Sequence, residues 1–323
     1  MDVHTTAATI AAAQRPDGGI PWEAGGTLDP WNHGEAAMGL DVAGHHAEAE
    51  AAYLWLAANQ NPDGSWFAGY RDGSVTDPAR DSNFTAYVAV GVTHHALIRD
   101  AGSFLERLWP TVERAVEFVL RLQAPGGEIR WRAESSEALL TGCCSIHHAL
   151  CHASTMATRL ARPRPRWEAA AGRLRRAILT RPQLFTPKPH AMDWYYPVLG
   201  SVLRGTAADD HLRAGWDKFV EPDLGVRCVR DQPWVTGGET AELALTLASR
   251  GDRDSAVKLL ADIERLRHHD GSYWTGYQYA NDVLWPEERT TWTAGALLLA
   301  HAALDAEPAT LAVFGELSGF ALS

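Results

Sequence analysis

A short turn phrase recurs along this chain, and a chain assembled from repeated turns is confined to an array of equivalent units. Its fullest copy is Gln60-Asn61-Pro62-Asp63-Gly64-Ser65-Trp66. Pro62 cannot continue a helix, Gly64 supplies a permissive backbone, and Trp66 is the aromatic anchor that follows. Gln14-Arg15-Pro16-Asp17-Gly18-Gly19-Ile20 lies upstream, and Gln123-Ala124-Pro125-Gly126-Gly127-Glu128-Ile129 lies downstream. Arg267-His268-His269-Asp270-Gly271-Ser272-Tyr273-Trp274 is a fourth copy, with Arg in place of Gln. Between the third and fourth there is room for two degenerate copies, Arg181-Pro182-Gln183-Leu184-Phe185 and Glu221-Pro222-Asp223-Leu224-Gly225-Val226. Six turns at a spacing of roughly 45–60 residues suit paired helices.

The segments on either side of each turn differ in character. Residues 45–60 read as an outer helix with Ala51, Leu54, Trp55 and Ala58 on one apolar stripe. Residues 104–122, 166–179, 209–219 and 252–266 mix apolar and charged residues in the same way. Residues 84–92 and 293–300, which follow turns, are apolar all round and read as buried helices. Amphipathic helices alternating with buried ones predict an all-α fold, an (α/α)6 toroid of six helical hairpins. Residues 1–323 are expected to form one toroid domain, with 305–323 as a C-terminal tail. No strand pattern of period two is apparent.

Composition narrows the partners. The 323 residues carry a formal net charge of −11, which argues against nucleic acid or an anionic membrane. No apolar run reaches the roughly 18–20 residues of a membrane span. The four cysteines do not form a disulfide framework, since Cys143, Cys144 and Cys151 fall within one predicted helix. A cytoplasmic setting is the simplest expectation. Adjacent Cys143 and Cys144 with His147 lack metal-ligand spacing, so no metal and no cofactor is expected.

The phrase Leu56-x3-Gln60-x3-Gly64-x-Trp66 resembles the QW repeat of squalene and terpene cyclases and the related repeat of protein prenyltransferases. The resemblance runs through turns along most of the chain, and it implies an α/α toroid with a pocket inside the inner ring. Six-hairpin glycosidases use the same architecture. Trp285-Pro286-Glu287-Glu288, leading into a small-residue helix, looks like the base-carrying segment of glucoamylase-type enzymes. The Asp-x-Asp-Asp acid motif of class II terpene cyclases is absent, as is the aspartate-rich motif of class I synthases.

In such a toroid the starts of the inner helices ring one mouth. Those starts carry Trp31, Asn32, His33 and Glu35; Asp81 and Asn83; His147; Asp193, Trp194 and Tyr195; Trp234 and Glu239; and Glu287, Glu288 and Arg289, with Trp274 nearby. Helix capping accounts for Asp, Ser and Thr at these places. It does not account for the aromatic, His and Arg residues, which suit a pocket. Aromatic faces and dense hydrogen-bonding groups point to a sugar. Glycoside cleavage needs two carboxyl groups. Asp193, Glu239 and Glu287 are the sequence-level candidates: Glu239 as acid, Glu287 to activate water, and Asp193 to hold substrate. Epimerisation or elimination could use the same pocket. The alternatives are a non-standard terpene cyclase or prenyltransferase-like enzyme acting on an isoprenoid, or a helical-repeat binding protein without chemistry.

Overall fold

Why the phrase repeats is answered by its glutamine, which joins each unit to the next. In the computed structural model, which describes residues 1–99 and 102–316, Gln14 Nε2 donates to the Gly18 carbonyl in its own turn at 2.9 Å. It donates also to the Glu48 carbonyl in the next outer helix at 2.8 Å. Gln60 bonds Gly64 and Thr111 in the same way, both at 2.9 Å. Gln123 bonds Gly127 and Ala170, both at 3.0 Å. The Asp of the phrase folds the turn, since Asp17, Asp63 and Asp270 each accept the amide two residues on.

Glycine follows because of backbone angle and space. Gly18, Gly64, Gly127 and Gly271 have φ of 93°, 94°, 104° and 91°. A Cβ at each would collide with the next outer helix, at Ala51, Arg114, Arg173 and Thr5. Gly64→Val and Gly271→Val therefore combine a left-handed backbone with overpacking. Each should cost at least about 2 kcal/mol. A lowered urea midpoint would report it, and an unshifted midpoint would show that these turns yield.

The hairpins run in chain order. Helices α1 (Val3–Ala13) and α2 (Pro30–Val42) form the first, and α3 (His46–Ala58) and α4 (Ser82–Arg99) the second. Then come α5 (Gly102–Arg121) with α6 (Leu140–Arg159), and α7 (Pro165–Thr180) with α8 (Ala191–Leu199). Last are α9 (Gly205–Phe219) with α10 (Gly237–Ser249), and α11 (Arg253–Asp262) with α12 (Thr291–Leu304). Odd-numbered helices lie outside and even-numbered ones inside. The two degenerate turns fall where expected, after α7 and α9. The ring closes when α12 packs on α2. At that seam Gly39 and Gly295 meet so closely that a Cβ on Gly39 would stand 2.7 Å from the Gly295 Cα. Outside it, Thr6 Oγ1 donates to the Gly271 carbonyl at 2.9 Å, which ties the fourth turn to α1.

Three expectations are corrected. The buried stripe of α3 is Ala49, Ala52, Tyr53, Trp55 and Leu56. Leu54 is only half-buried and Ala58 is exposed, because the helix packs mainly on α2, with the buried face one position round from the predicted one. Short strands also exist. Strands β1 (Gly69–Arg71) and β2 (Ser74–Asp77) pair antiparallel. Strands β3 (Val220–Glu221), β4 (Gly225–Arg227), β5 (Trp234–Thr236), β6 (Gly276–Gln278) and β7 (Val283–Leu284) form an antiparallel sheet in sequence order. Runs this short show no alternation in sequence. The region taken as a tail contains a further helix, α13 (Pro308–Phe314). Its Thr310 and Val313 are fully buried, with Thr310 Oγ1 3.2 Å from His94 and the Val313 carbonyl 2.8 Å from His148. Residues 317–323 lie outside the described residues. Among those described, no single helix is long and apolar enough to cross a membrane.

Candidate active site

The inner helices present their N-termini to one mouth, and the caps there do more than end helices. Asp29 caps α2, with Oδ1 accepting the Trp31 and Asn32 amides, both at 2.9 Å. Its Oδ2 accepts Asn32 Nδ2 at 2.7 Å and the Trp22 indole N–H at 2.6 Å. Asp81 repeats the device on α4. It accepts the Asn83 amide at 2.7 Å and the Phe84 amide at 3.1 Å, and it holds the Trp131 indole N–H.

A cleft of about 290 Å³ opens between these caps. Asp29, Trp31, Phe84, Met192, Glu288 and Trp292 line it. A neighbouring hollow of about 350 Å³ shares Trp22, Asp29 and Phe84 with the cleft and reaches Asp81, Trp131 and Arg132. A third, of about 520 Å³, lies against α1 and meets the cleft at Thr290.

Three buried glutamates lie within the inner ring beneath this mouth. Glu35 accepts the Trp292 indole N–H at 3.0 Å. Glu242 accepts the hydroxyls of Tyr195 and Tyr196. Glu239 accepts the Thr236 hydroxyl. Burial pushes Glu242 up to about 8, and the Glu239 charge adds to the rise while the two tyrosines oppose it. Burial lifts Glu35 well above the ordinary range, followed by the charges of Glu242, Glu239 and Asp29. Burial also raises Asp29, against its four donors, and brings Asp81 to about 6. Burial is the first cause in each case, and for Glu35 and Glu242 the charges of neighbouring carboxyls add to it.

The predicted residues divide. Trp31, Asn32 and Glu288 line the cleft, Asp81 lines the adjoining hollow, and Asn83 is buried in the same cap turn. Glu35, Glu239 and Tyr195 belong to the buried set. The remainder lie outside the cleft and the adjoining hollow, with Arg289 on the wall of the third hollow. Glu287 is exposed, and its neighbour Glu288 turns inward instead. Asp193 lines neither the cleft nor the adjoining hollow; it accepts from Thr141, through amide (3.1 Å) and hydroxyl (2.5 Å), and from the Lys188 amide (2.9 Å), and fastens the start of α6. His33 is fully buried between the Ile20 amide (3.0 Å) and the Ala52 carbonyl (2.9 Å). His147 bonds the Gly200 carbonyl at 2.9 Å. Burial holds both histidines down to about 4, and both face helix seams. Trp194 stacks on Phe219 of α9, its centroid 5.2 Å away. Trp234 is tied to the Trp285 carbonyl at 2.9 Å on the rim. Trp274 and Arg289 stack together at 5.2 Å, and Arg289 braces the fourth turn through Asp270 (2.6 Å) and Ser272 (2.8 Å).

Sequence reasoning places Asp29, Tyr196 and Trp292 at inner-helix starts without singling them out, and it does not reach Trp22, Phe84, Met192 or Glu242 as site residues. Asp29 opened the first inner helix and was available as a cap. Glu242 follows Glu239 by three positions and shares its helix face, a signal that was present. Trp22 and Met192 carried none.

The chain is 50% identical over 304 residues to the MMP endo-(1,4)-3-O-methyl-alpha-D-mannosidase of Mycolicibacterium hassiacum, spanning 93% of this chain and 85% of that one. The chain belongs to that mannosidase's family. No protein-family model matches it. Solved structures agree on the fold of this glycoside hydrolase. A glycosidase variant in complex with glucose superposes with a TM-score of 0.79 at 17% identity, covering 94% of this chain and 96% of that one. A D-mannose isomerase superposes at 0.72 with 11% identity, again covering 94% and 96%. The resemblance of the turns to cyclases and prenyltransferases is therefore one of architecture, and the isoprenoid reading gains no support.

Proposed function

We propose that the protein cleaves chains of α-(1,4)-linked 3-O-methylmannose at internal bonds, the activity printed in its relative's name. What carries the reading is the cleft: one capping carboxylate, Asp29, at its wall, a coupled set of buried acids nearby, and an apolar lining of Trp31, Phe84, Met192 and Trp292. A methylated hydroxyl has lost its donor and gained a methyl group, so apolar walls suit it better than a dense array of acceptors. Asp29 is the base. Four donors favour its ionised form, and burial raises its basicity. Glu239 is the acid, as in the sequence reading. It adjoins Gly238, on which the cleft residue Trp292 packs, and it stands close enough to Glu35 and Glu242 to act on both electrostatically. Glu288, which lines the cleft and is raised by burial and then by Glu23, is the second candidate for the acid. The acid gives its proton to the departing glycosidic oxygen as its bond to the anomeric carbon breaks, while Asp29 takes a proton from the water that attacks that carbon.

The test is direct. An α-(1,4)-linked 3-O-methylmannose oligosaccharide should yield new reducing ends and fragments of intermediate length, with no unsaturated, ultraviolet-absorbing product. Single sugars released from one end would overturn internal cleavage, and an unsaturated product would replace hydrolysis by elimination.

A further inference from the structure

We infer that Thr236 is a positioning residue for the acid: its hydroxyl holds one oxygen of Glu239, so that the proton to be transferred is carried on the other. This rests on the reading of Glu239 as the acid. The first support is a cap residue that does not cap. Thr236 stands at the N-cap of α10 with extended backbone, yet its side chain accepts no helix amide. Thr290, the same residue type at the same place on α12, accepts the Thr293 amide at 3.3 Å. Asp29 and Asp81 likewise cap their helices. Thr236 instead donates its hydroxyl to Glu239 Oε2. A threonine at this position ordinarily stabilises its helix by accepting from it, and here that contribution is given up.

The second support is that the threonine is itself held fast. It is 1% exposed, and its backbone belongs to β5, where it pairs with Gly276 of β6. Its carbonyl accepts the Thr240 hydroxyl at 2.5 Å, and Thr240 Oγ1 accepts the Val226 amide of β4 at 2.8 Å. Sheet and helix together fix the donor, and the donor fixes the carboxyl. The third support is electrostatic. The Glu239 charge bears on Glu35, Glu242 and Tyr195, so a carboxylate formed there stands among other acids. The Cys228 thiol also bonds Glu239, but a thiol is a weak donor, and the hydroxyl is the stronger of the two. A hydrogen bond to a carboxylate is stronger than one to a neutral carboxyl. The bond from Thr236 therefore tightens as the proton leaves the other oxygen for the glycosidic oxygen, and it favours the transition state over the bound substrate.

The test compares two leaving groups on one preparation of the full chain. A sugar leaves only with a proton, whereas para-nitrophenolate leaves without one. The substrates are an α-(1,4)-linked 3-O-methylmannose oligosaccharide and the para-nitrophenyl α-glycoside of the same oligosaccharide. Thr236→Val should lower kcat on the oligosaccharide at least about tenfold with KM nearly unchanged. Release of para-nitrophenolate should stay near that of the unaltered protein. Thr236→Ser keeps the hydroxyl and should restore most of the turnover. The ratio of the two activities does not depend on how much of a variant is folded, so a loss of fold cannot imitate the result. An equal loss on both substrates, or a loss on neither, would overturn the inference. Full oligosaccharide turnover in Glu239→Gln would instead overturn the acid assignment on which it rests.

Discussion

Asp29→Asn is expected to lower kcat by about 10²–10⁴-fold, the range a positioned acid or base contributes. The variant should fold. Asparagine caps helices about as well as aspartate, so the Trp31 and Asn32 amides keep an acceptor. What it loses is the charge, and one oxygen of the pair that Trp22 and Asn32 Nδ2 donate to. Binding of a neutral sugar should therefore weaken far less than turnover falls. Glu239→Gln should show a similar loss if it is the acid, and Glu288→Gln should then keep most activity. The reverse pattern would move the acid to Glu288. Full turnover in Asp29→Asn would remove the base assignment altogether.

The second large effect is on stability against pH: the melting temperature should peak near about pH 6.5 and fall on both sides. His33, His147 and His148 are held by burial at about 4, against an ordinary value of 6.5. As pH falls below 6.5, the unfolded chain takes up protons that the native histidines refuse. Stability is lost through this window, and the loss is complete below about 4. Each histidine contributes about 1.4 kcal/mol per unit of displacement. Glu242 works in the opposite sense, with a native value of about 8 against 4.5. As pH rises from 4.5 to 8, the unfolded chain releases a proton that the native state keeps, and stability declines until about 8. Between 4 and 6.5 these three histidines, joined by His94 and His152, work against the raised acids Glu242, Glu35, Asp29 and Asp81, and the histidines are expected to set the sign of the acid limb. Glu242→Gln should flatten the alkaline limb and raise the melting temperature at pH 8. An alkaline limb of unchanged slope would show that Glu242 is not raised by its surroundings.

The ring was legible because its determinants are local. A glutamine, an aspartate and a glycine in fixed order specify a turn, and a repeated turn specifies an array. The helix starts, and hence the mouth, followed from the same reading. What sequence could not supply was direction around each helix. Glu287 and Glu288 are adjacent, and only the path of the β6–β7 hairpin decides which one faces the cleft. Asp193 sits at the right helix end, but a neighbouring helix start needed a carboxylate more closely, and Thr141 took it. His33 and His147 stand at inner starts yet turn toward seams, where main-chain groups required partners. The wheel marked which residues were near the mouth; side-chain direction, set by packing, decided which of them serve it.

The N-termini of the inner helices gather at that mouth. Each brings roughly half a positive charge of main-chain origin. The caps Asp29 and Asp81 are thus balanced by the backbone, whereas Glu35 and Glu242, a turn further in, are held by indole and phenol donors. Compensation carried by the main chain cannot be deleted by a point mutation. A carboxylate can accordingly be lost at one helix start and gained at another while the scaffold keeps its electrostatic account. A glucose-bound glycosidase and a D-mannose isomerase share this fold, so one scaffold of inner-helix starts carries more than one set of groups at its mouth.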